Sequence, residues 1–118
     1  MSELTDRRQD GEAPLRDEPA RSPLAEEAVE SVAAWLAAIA EPTRIRLMEI
    51  LNGGTASVAG LAAQLGTSHQ NASRHLGVLR QAGIVARRKA GNRVHYELAD
   101  FSGWWVVEQA ASNLTAQP

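Results

Sequence analysis

Between Ser57 and Leu98 the apolar residues change period once, and glycines frame the change. This restricts the fold more than any other feature of the chain. Val58, Leu61, Ala62 and Leu65 recur at helical spacing, with Ser57 placed to cap and Gly66 placed to stop the helix. A second helix is predicted over 68–82, capped by Ser68 or Thr67, with Ala72, Leu76 and Leu79 facing inward and Gly83 ending it. Two short helices joined by the tight turn Gly66-Thr67-Ser68 describe a helix-turn-helix. Beyond Gly83 the period drops to two: Val94, Tyr96 and Leu98 alternate with Arg93, His95 and Glu97, as in a half-buried strand. Gly91-Asn92 between two short strands reads as a hairpin turn. A basic hairpin over 85–98, directly after a helix-turn-helix, is a wing.

The flanking segments supply the rest of a mainly α chain with one small β-hairpin. Ser22-Pro23 reads as a helix start, with Glu26 and Glu27 at the positive end of the dipole. Leu24, Ala28, Val32, Leu36 and Ile39 form a stripe with Trp35 beside it, and this helix is expected to reach about Ala40. Pro42 opens another helix containing Ile45, Met48 and Leu51, which Asn52-Gly53-Gly54 ends. A last helix over 101–114 bears Trp104, Trp105, Val106, Val107 and Leu114. Residues 1–21 are polar and aperiodic and read as a disordered acidic tail, leaving 22–118 as the folded domain.

Charge is distributed unevenly. The formal charge is −2, yet residues 1–30 carry nine acids against four arginines, and residues 31–118 carry eight bases against five acids. From Ile50 to Tyr96 there is neither Asp nor Glu, while that stretch holds Arg74, Arg80, Arg87, Arg88, Lys89, Arg93 and all three histidines. A polyanionic partner is the usual reason to clear acids from a surface. On the 68–82 helix, His69 sits at the exposed start, and Gln70, Asn71, Ser73 and Arg74 project away from the apolar side. Gln and Asn pair bidentately with adenine and Arg with guanine, and a helix fits the major groove of double-stranded DNA. The candidate DNA-contacting set is therefore Ser68, His69, Gln70, Asn71, Ser73, Arg74 and His75 on the helix, with Arg88, Lys89, Asn92 and Arg93 on the wing. Alternation along the strands means that not all wing residues can face DNA, and Lys89, Asn92 and Arg93 near the tip are the best placed. Arg44 and Arg46 are expected either to pair with Glu41 or Glu49 or to touch phosphate.

With these elements in order, the sequence resembles the ArsR/SmtB family of winged-helix transcriptional repressors. The resemblance is carried by Ala40-Glu41-Pro42-Thr43-Arg44-Ile45-Arg46-Leu47, by Ser57-Val58-Ala59-Gly60-Leu61-Ala62, by Ser68-His69-Gln70-Asn71-Ala72-Ser73-Arg74-His75-Leu76 with Leu79, Gly83 and Val85, and by Arg88-Lys89-Ala90-Gly91-Asn92-Arg93-Val94-His95-Tyr96. It covers about residues 32–115. It implies the element order ααααββα and a homodimer binding palindromic operator DNA. The helices that form the family's dimer interface carry Leu24, Val32, Trp35, Leu36, Ile39, Trp104, Trp105 and Val107 here.

The resemblance also places the family's metal-sensing sites. The cysteine site would fall at Ser57 and Ala59, and the last-helix site at Asp100, Ser102, Asn113 and Ala116. One carboxylate does not make the four-ligand set that zinc needs, so no metal and no other cofactor is expected. The chain has no cysteine, which excludes disulfides, thiolate metal sites and thiol redox sensing, and the reading is a cytoplasmic protein. No apolar run is long enough to span a bilayer. Two alternatives are open for the signal: an apolar organic effector in a dimer-interface pocket lined by Trp35, Trp104 and Trp105, or no effector at all. A reading from another class is a winged-helix module that contacts proteins instead of DNA, which only the acidic segment and the net charge of −2 support. An enzyme is not expected, because there is no Gly-rich phosphate loop, no paired carboxylate in the basic segment, and Ser73 and His75 diverge on a helix.

Overall fold

The computed structural model describes residues 24–115 together with Leu15 and Asp17. The acidic segment read over 1–21 lies outside the described residues apart from those two, as do Ser22 and Pro23. The first helix among the described residues, α1, spans Glu26–Ile39, with Ala25 in extended conformation as its N-cap, so it begins three residues later than the Ser22-Pro23 start expected from the sequence. Leu24 therefore precedes the helix instead of sitting on its stripe. Glu41 caps α2 (Pro42–Asn52): its carboxylate accepts from the Arg44 backbone N–H at 3.0 Å. Ser57 caps α3 (Val58–Leu65), and Ser68 caps α4 (His69–Gln81), each accepting from the backbone N–H three residues on.

Gly66 makes the turn between α3 and α4. It adopts φ +67°, a left-handed conformation that costs glycine little and residues with a Cβ more. The antiparallel strands β1 (Val85–Ala90) and β2 (Arg93–Leu98) pair Val85 with Leu98, Arg87 with Tyr96, and Lys89 with Val94. The last helix, α5, spans Ser102–Thr115, and Asp100 accepts the Ser102 backbone N–H at 2.8 Å ahead of it. Among the described residues the order is thus ααααββα, a winged helix-turn-helix.

One core serves the helices and the wing. Leu47 and Met48 of α2, Leu61 of α3, and Leu76 and Leu79 of α4 are fully buried, and Ile84, Val85, Tyr96 and Leu98 bring the base of the wing into the same cluster. The wing is also tied by its backbone. Ala56 and Tyr96 exchange two N–H···O=C bonds of 3.1 and 2.8 Å, so the segment just before α3 behaves as a one-residue third strand. No periodicity announced this bridge. Gly103 allows the start of α5 to lie against the core, since a Cβ there would stand 3.1 Å from Met48 Cε.

The α1 stripe is divided between two faces. Ala38 and Ile39 are buried and Trp35 packs against the core, whereas Val29, Val32 and Leu36 stay more than 40% exposed. Ile39 is therefore corrected from an interface residue to a core residue of its own protomer. No helix among the described residues is long and apolar enough to cross a membrane.

Because a Cβ at Gly66 would meet no neighbour within 4 Å, the cost of Gly66→Ala is conformational. Denaturant unfolding should show a loss of about 1 kcal/mol, and an unchanged midpoint would contradict the left-handed turn.

Candidate nucleic-acid interface

The apolar stripe of α4 consists of Ala72, His75, Leu76 and Leu79, all buried. Its opposite face carries His69, Gln70, Ser73 and Arg74, all exposed, and Ser68 is exposed at the cap. The N-terminal turn of α4 therefore offers amide donors, hydroxyls and a guanidinium to solvent, the chemistry that pairs with phosphates and base edges. Asn71 is half-buried and already engaged: its Nδ2 donates to Thr67 Oγ1 at 2.9 Å, and its Oδ1 accepts from Arg74 Nη2 at 2.8 Å. It braces Arg74 instead of presenting its amide outward.

His75 leaves the candidate DNA-contacting set. It is 5% exposed, and position 75 falls on the same helical stripe as 72 and 79, a signal its polarity obscured. Arg44 Nη1 donates to His75 Nδ1 at 3.1 Å, Arg74 Nη2 stands 3.4 Å from Nε2, and the Glu41 carboxylate is 3.7 Å from Nδ1. An arginine can only donate and a neutral imidazole has one lone pair, so the ring can accept from Arg44 at Nδ1 or from Arg74 at Nε2, and the shorter contact favours Arg44. Burial pushes the His75 pKa below its ordinary 6.5; Glu41 pulls the other way, and Arg74 and Arg44 push it down again. Glu41 is itself held below the usual carboxylate range, first by the bonded Arg44 N–H. The same Arg44 donates from Nε to the Ala38 carbonyl at 2.6 Å and from Nη2 to that of Ala37 at 3.5 Å, satisfying carbonyls at the C-terminus of α1. Neither expectation for Arg44, a carboxylate partner or a phosphate, describes this. The expected pairing with Glu49 is made by Arg46 at 2.8 Å.

On the wing, strand register separates the basic residues. Arg87 and Lys89 share a face with Val85, Val94, Tyr96 and Leu98, while Arg88 and Arg93 lie on the other face with His95 and Glu97. Arg88 Nε pairs with the Glu97 carboxylate at 2.7 Å, so it is occupied within the hairpin, though an exposed pair of this kind is weak enough for phosphate to displace. Lys89, Asn92 and Arg93 are exposed around the Gly91 turn.

Away from these elements, the exposed apolar residues gather on α1 and around α5: Val29, Val32 and Leu36 on the first, Phe101, Trp105 and Leu114 at the second. Trp104 and Val107 are half-buried against their own core. The opposite face of α1 borders an open cavity of about 770 Å³ between Ala34, Trp35 and Ala38, Arg44, Val78 and Gln81 of α4, and Ala82 just after it. Trp35 alone of the three tryptophans lines it, and several of its other lining residues are exposed, so it is an open groove on one chain and not an enclosure of all three indoles. Among the described residues no three His, Cys, Asp or Glu side chains gather into a metal site.

Comparison with known proteins gives consistent matches. Residues 39–88 match a helix-turn-helix domain family. The chain is 43% identical over 63 residues to the HTH-type transcriptional regulator CmtR of Mycobacterium tuberculosis, a match spanning 53% of either chain, so it aligns with about half the length of that relative. It is 38% identical over 98 residues to the biofilm growth-associated repressor of Agrobacterium fabrum, covering 83% of this chain and 78% of that protein. The crystal structure of Mycobacterium tuberculosis Rv0081 superposes with a TM-score of 0.69 at 33% identity, covering 78% of this chain and 93% of the other.

A histidine whose folded pKa lies below its unfolded one leaves the unfolded chain binding more protons between the two values. Stability should therefore be full above the ordinary histidine value of 6.5 and decline as the pH falls below it, with a second decline below 4.5 as Glu41 is protonated. Denaturant melts across this range test the sign, and a flat profile between neutral pH and 4.5 would refute it.

Proposed function

This chain belongs to the ArsR/SmtB family of winged-helix transcriptional regulators, and on that premise we propose that it is a repressor which binds palindromic operator DNA as a homodimer. The observation that carries the reading is the N-terminal half of α4. His69, Gln70, Ser73 and Arg74 are exposed there on a helix whose other face is locked into the core. They lie within a 47-residue stretch free of Asp and Glu. Gln70 and Arg74 read base edges in the major groove, Ser68 and the first α4 amides hold phosphate, and Lys89, Asn92 and Arg93 reach the neighbouring backbone or minor groove.

One helix-turn-helix reads only a short half-site, and two-fold symmetry supplies a second about one helical turn away. The apolar residues left exposed on α1 and around α5 support the dimer. Val32, Leu36 and Trp105 are its contacts, with Leu24 beside them and Trp35, Trp104 and Val107 packed beneath. A second reading concerns the signal. The cavity beside Trp35 suits an organic effector with an apolar body, because alanines on α1 leave space between that helix and α4.

Selection from a random double-stranded DNA library should recover a palindrome with half-sites about one turn apart. On that sequence Arg74→Ala should weaken binding by about 1–3 kcal/mol. Lys89→Ala and Arg93→Ala should each reduce the salt slope by roughly 0.9 units. Absence of any sequence preference in moderate salt would remove the reading. Leu36→Glu with Trp105→Glu should shift the protein to a monomer in sedimentation and abolish operator binding, whereas an unchanged dimer would place the interface elsewhere.

A further inference from the structure

A row of adjoining polar groups runs from the end of α1 to the exposed face of α4. The Ala37 and Ala38 carbonyls accept from Arg44, Arg44 donates to His75, Arg74 stands against the far side of the His75 ring, and Arg74 in turn donates to Asn71, which is braced on Thr67. Two guanidiniums approach one imidazole. A neutral imidazole has a single lone pair, so only one of them can be satisfied. The shorter contact, 3.1 Å against 3.4 Å, gives that lone pair to Arg44 and turns the Nε2–H toward Arg74. Arg74 is thereby left to Asn71 Oδ1 at 2.8 Å, on the exposed face of the helix.

We propose that His75 is a positioning residue for Arg74, fastening α4 to Arg44 and the end of α1 only while its ring is neutral, so that operator binding is proton-sensitive. The proposal rests on the DNA-binding reading above. Protonation converts Nδ1 from acceptor to donor and leaves the Arg44 N–H facing another donor. It also places a cation between two guanidiniums. The charged groups that face the ring are Glu41 and Arg44 from α2 and its cap, and Arg74 from α4 itself; α1 contributes only carbonyl oxygens, through Arg44. One carboxylate 3.7 Å away does not offset two arginines and burial together. The hold on α4 then loosens where Arg74 must be fixed to meet a base.

The test measures affinity for the selected palindrome at constant ionic strength from about pH 8 to about pH 5.5. Wild-type protein is expected to lose affinity severalfold on acidification, staying under about tenfold at the acid end because the ring titrates below its ordinary value. The sign is discriminating, because positive charge gained on the exposed DNA-facing surface would strengthen phosphate contacts instead. His75→Asn places an amide oxygen near the Nδ1 position, accepts from Arg44 and does not titrate. It is expected to restore neutral-pH affinity to within about threefold and to abolish the acid-linked loss, while His75→Ala binds weakly throughout. Should His75→Ala fail to fold, the Asn profile and a nitrogen NMR titration of the His75 ring, followed together with the Arg74 side-chain resonances, decide the matter. Parallel profiles for wild type and His75→Asn, or Arg74 resonances indifferent to His75 protonation, overturn the positioning role and leave the DNA-binding reading intact. A wild-type protein that selects no palindrome at neutral pH overturns both.

Discussion

Three helices meet at the guanidinium of Arg44. Its donors close the carbonyl end of α1, reach the imidazole on α4, and leave its own backbone N–H to the Glu41 cap that starts α2. Only a planar, permanently charged fork can serve partners in such different directions from one half-buried position. Lysine would bring a point charge and no fixed geometry. The buried histidine on α4 is tolerated because this fork meets its lone pair; an unpartnered ring there would cost about 1–3 kcal/mol. The orientation of α4 relative to α1 therefore depends on a polar contact at the margin of an apolar core.

The core itself does the coarser work. Leu47, Met48, Leu61, Leu76 and Leu79 exclude solvent between α2, α3 and α4, and each such burial contributes roughly 2 kcal/mol before entropy is counted. Because this seam consumes one whole stripe of α4, the other stripe is free to hold polar residues at no cost to packing. The wing is anchored at its base by Val85, Tyr96 and Leu98 and by the Ala56 bridge, and its tip is left to solvent. A base fixed in the core leaves the exposed basic tip free to meet a partner without disturbing the fold.

Much of this was legible in the residues. Ser57, Ser68, Gly66 and Pro42 act at the helix boundaries assigned to them, and the Gly91-Asn92 turn lies between the expected strands, because caps and turns depend on a few neighbouring atoms. The stripe Ala72, Leu76 and Leu79 was equally readable, since burial follows period. His75 departs from the solvent-facing position expected of it, for a physical reason. Its position obeyed the apolar period, but its chemistry suggested solvent, and the partner that makes burial tolerable lies 31 residues away on another helix. Ile39 was misplaced because a stripe wider than one face cannot say which edge meets the core and which meets a second surface.

Local rules thus determined the order of elements, their ends and the side chains α4 would hide. They also gave the acid-free charge pattern that points to a polyanion, for charge is a property of composition and needs no coordinates. What only the tertiary structure decided are the contacts between residues distant in sequence: Arg44 on the end of α1 and on His75, Ala56 on Tyr96, Gly103 against Met48, and the cross-strand pairing of Arg88 with Glu97. Periodicity reports which way a residue faces within its own element. The partner it meets there is fixed by how separate elements pack, and no local pattern encodes that distance.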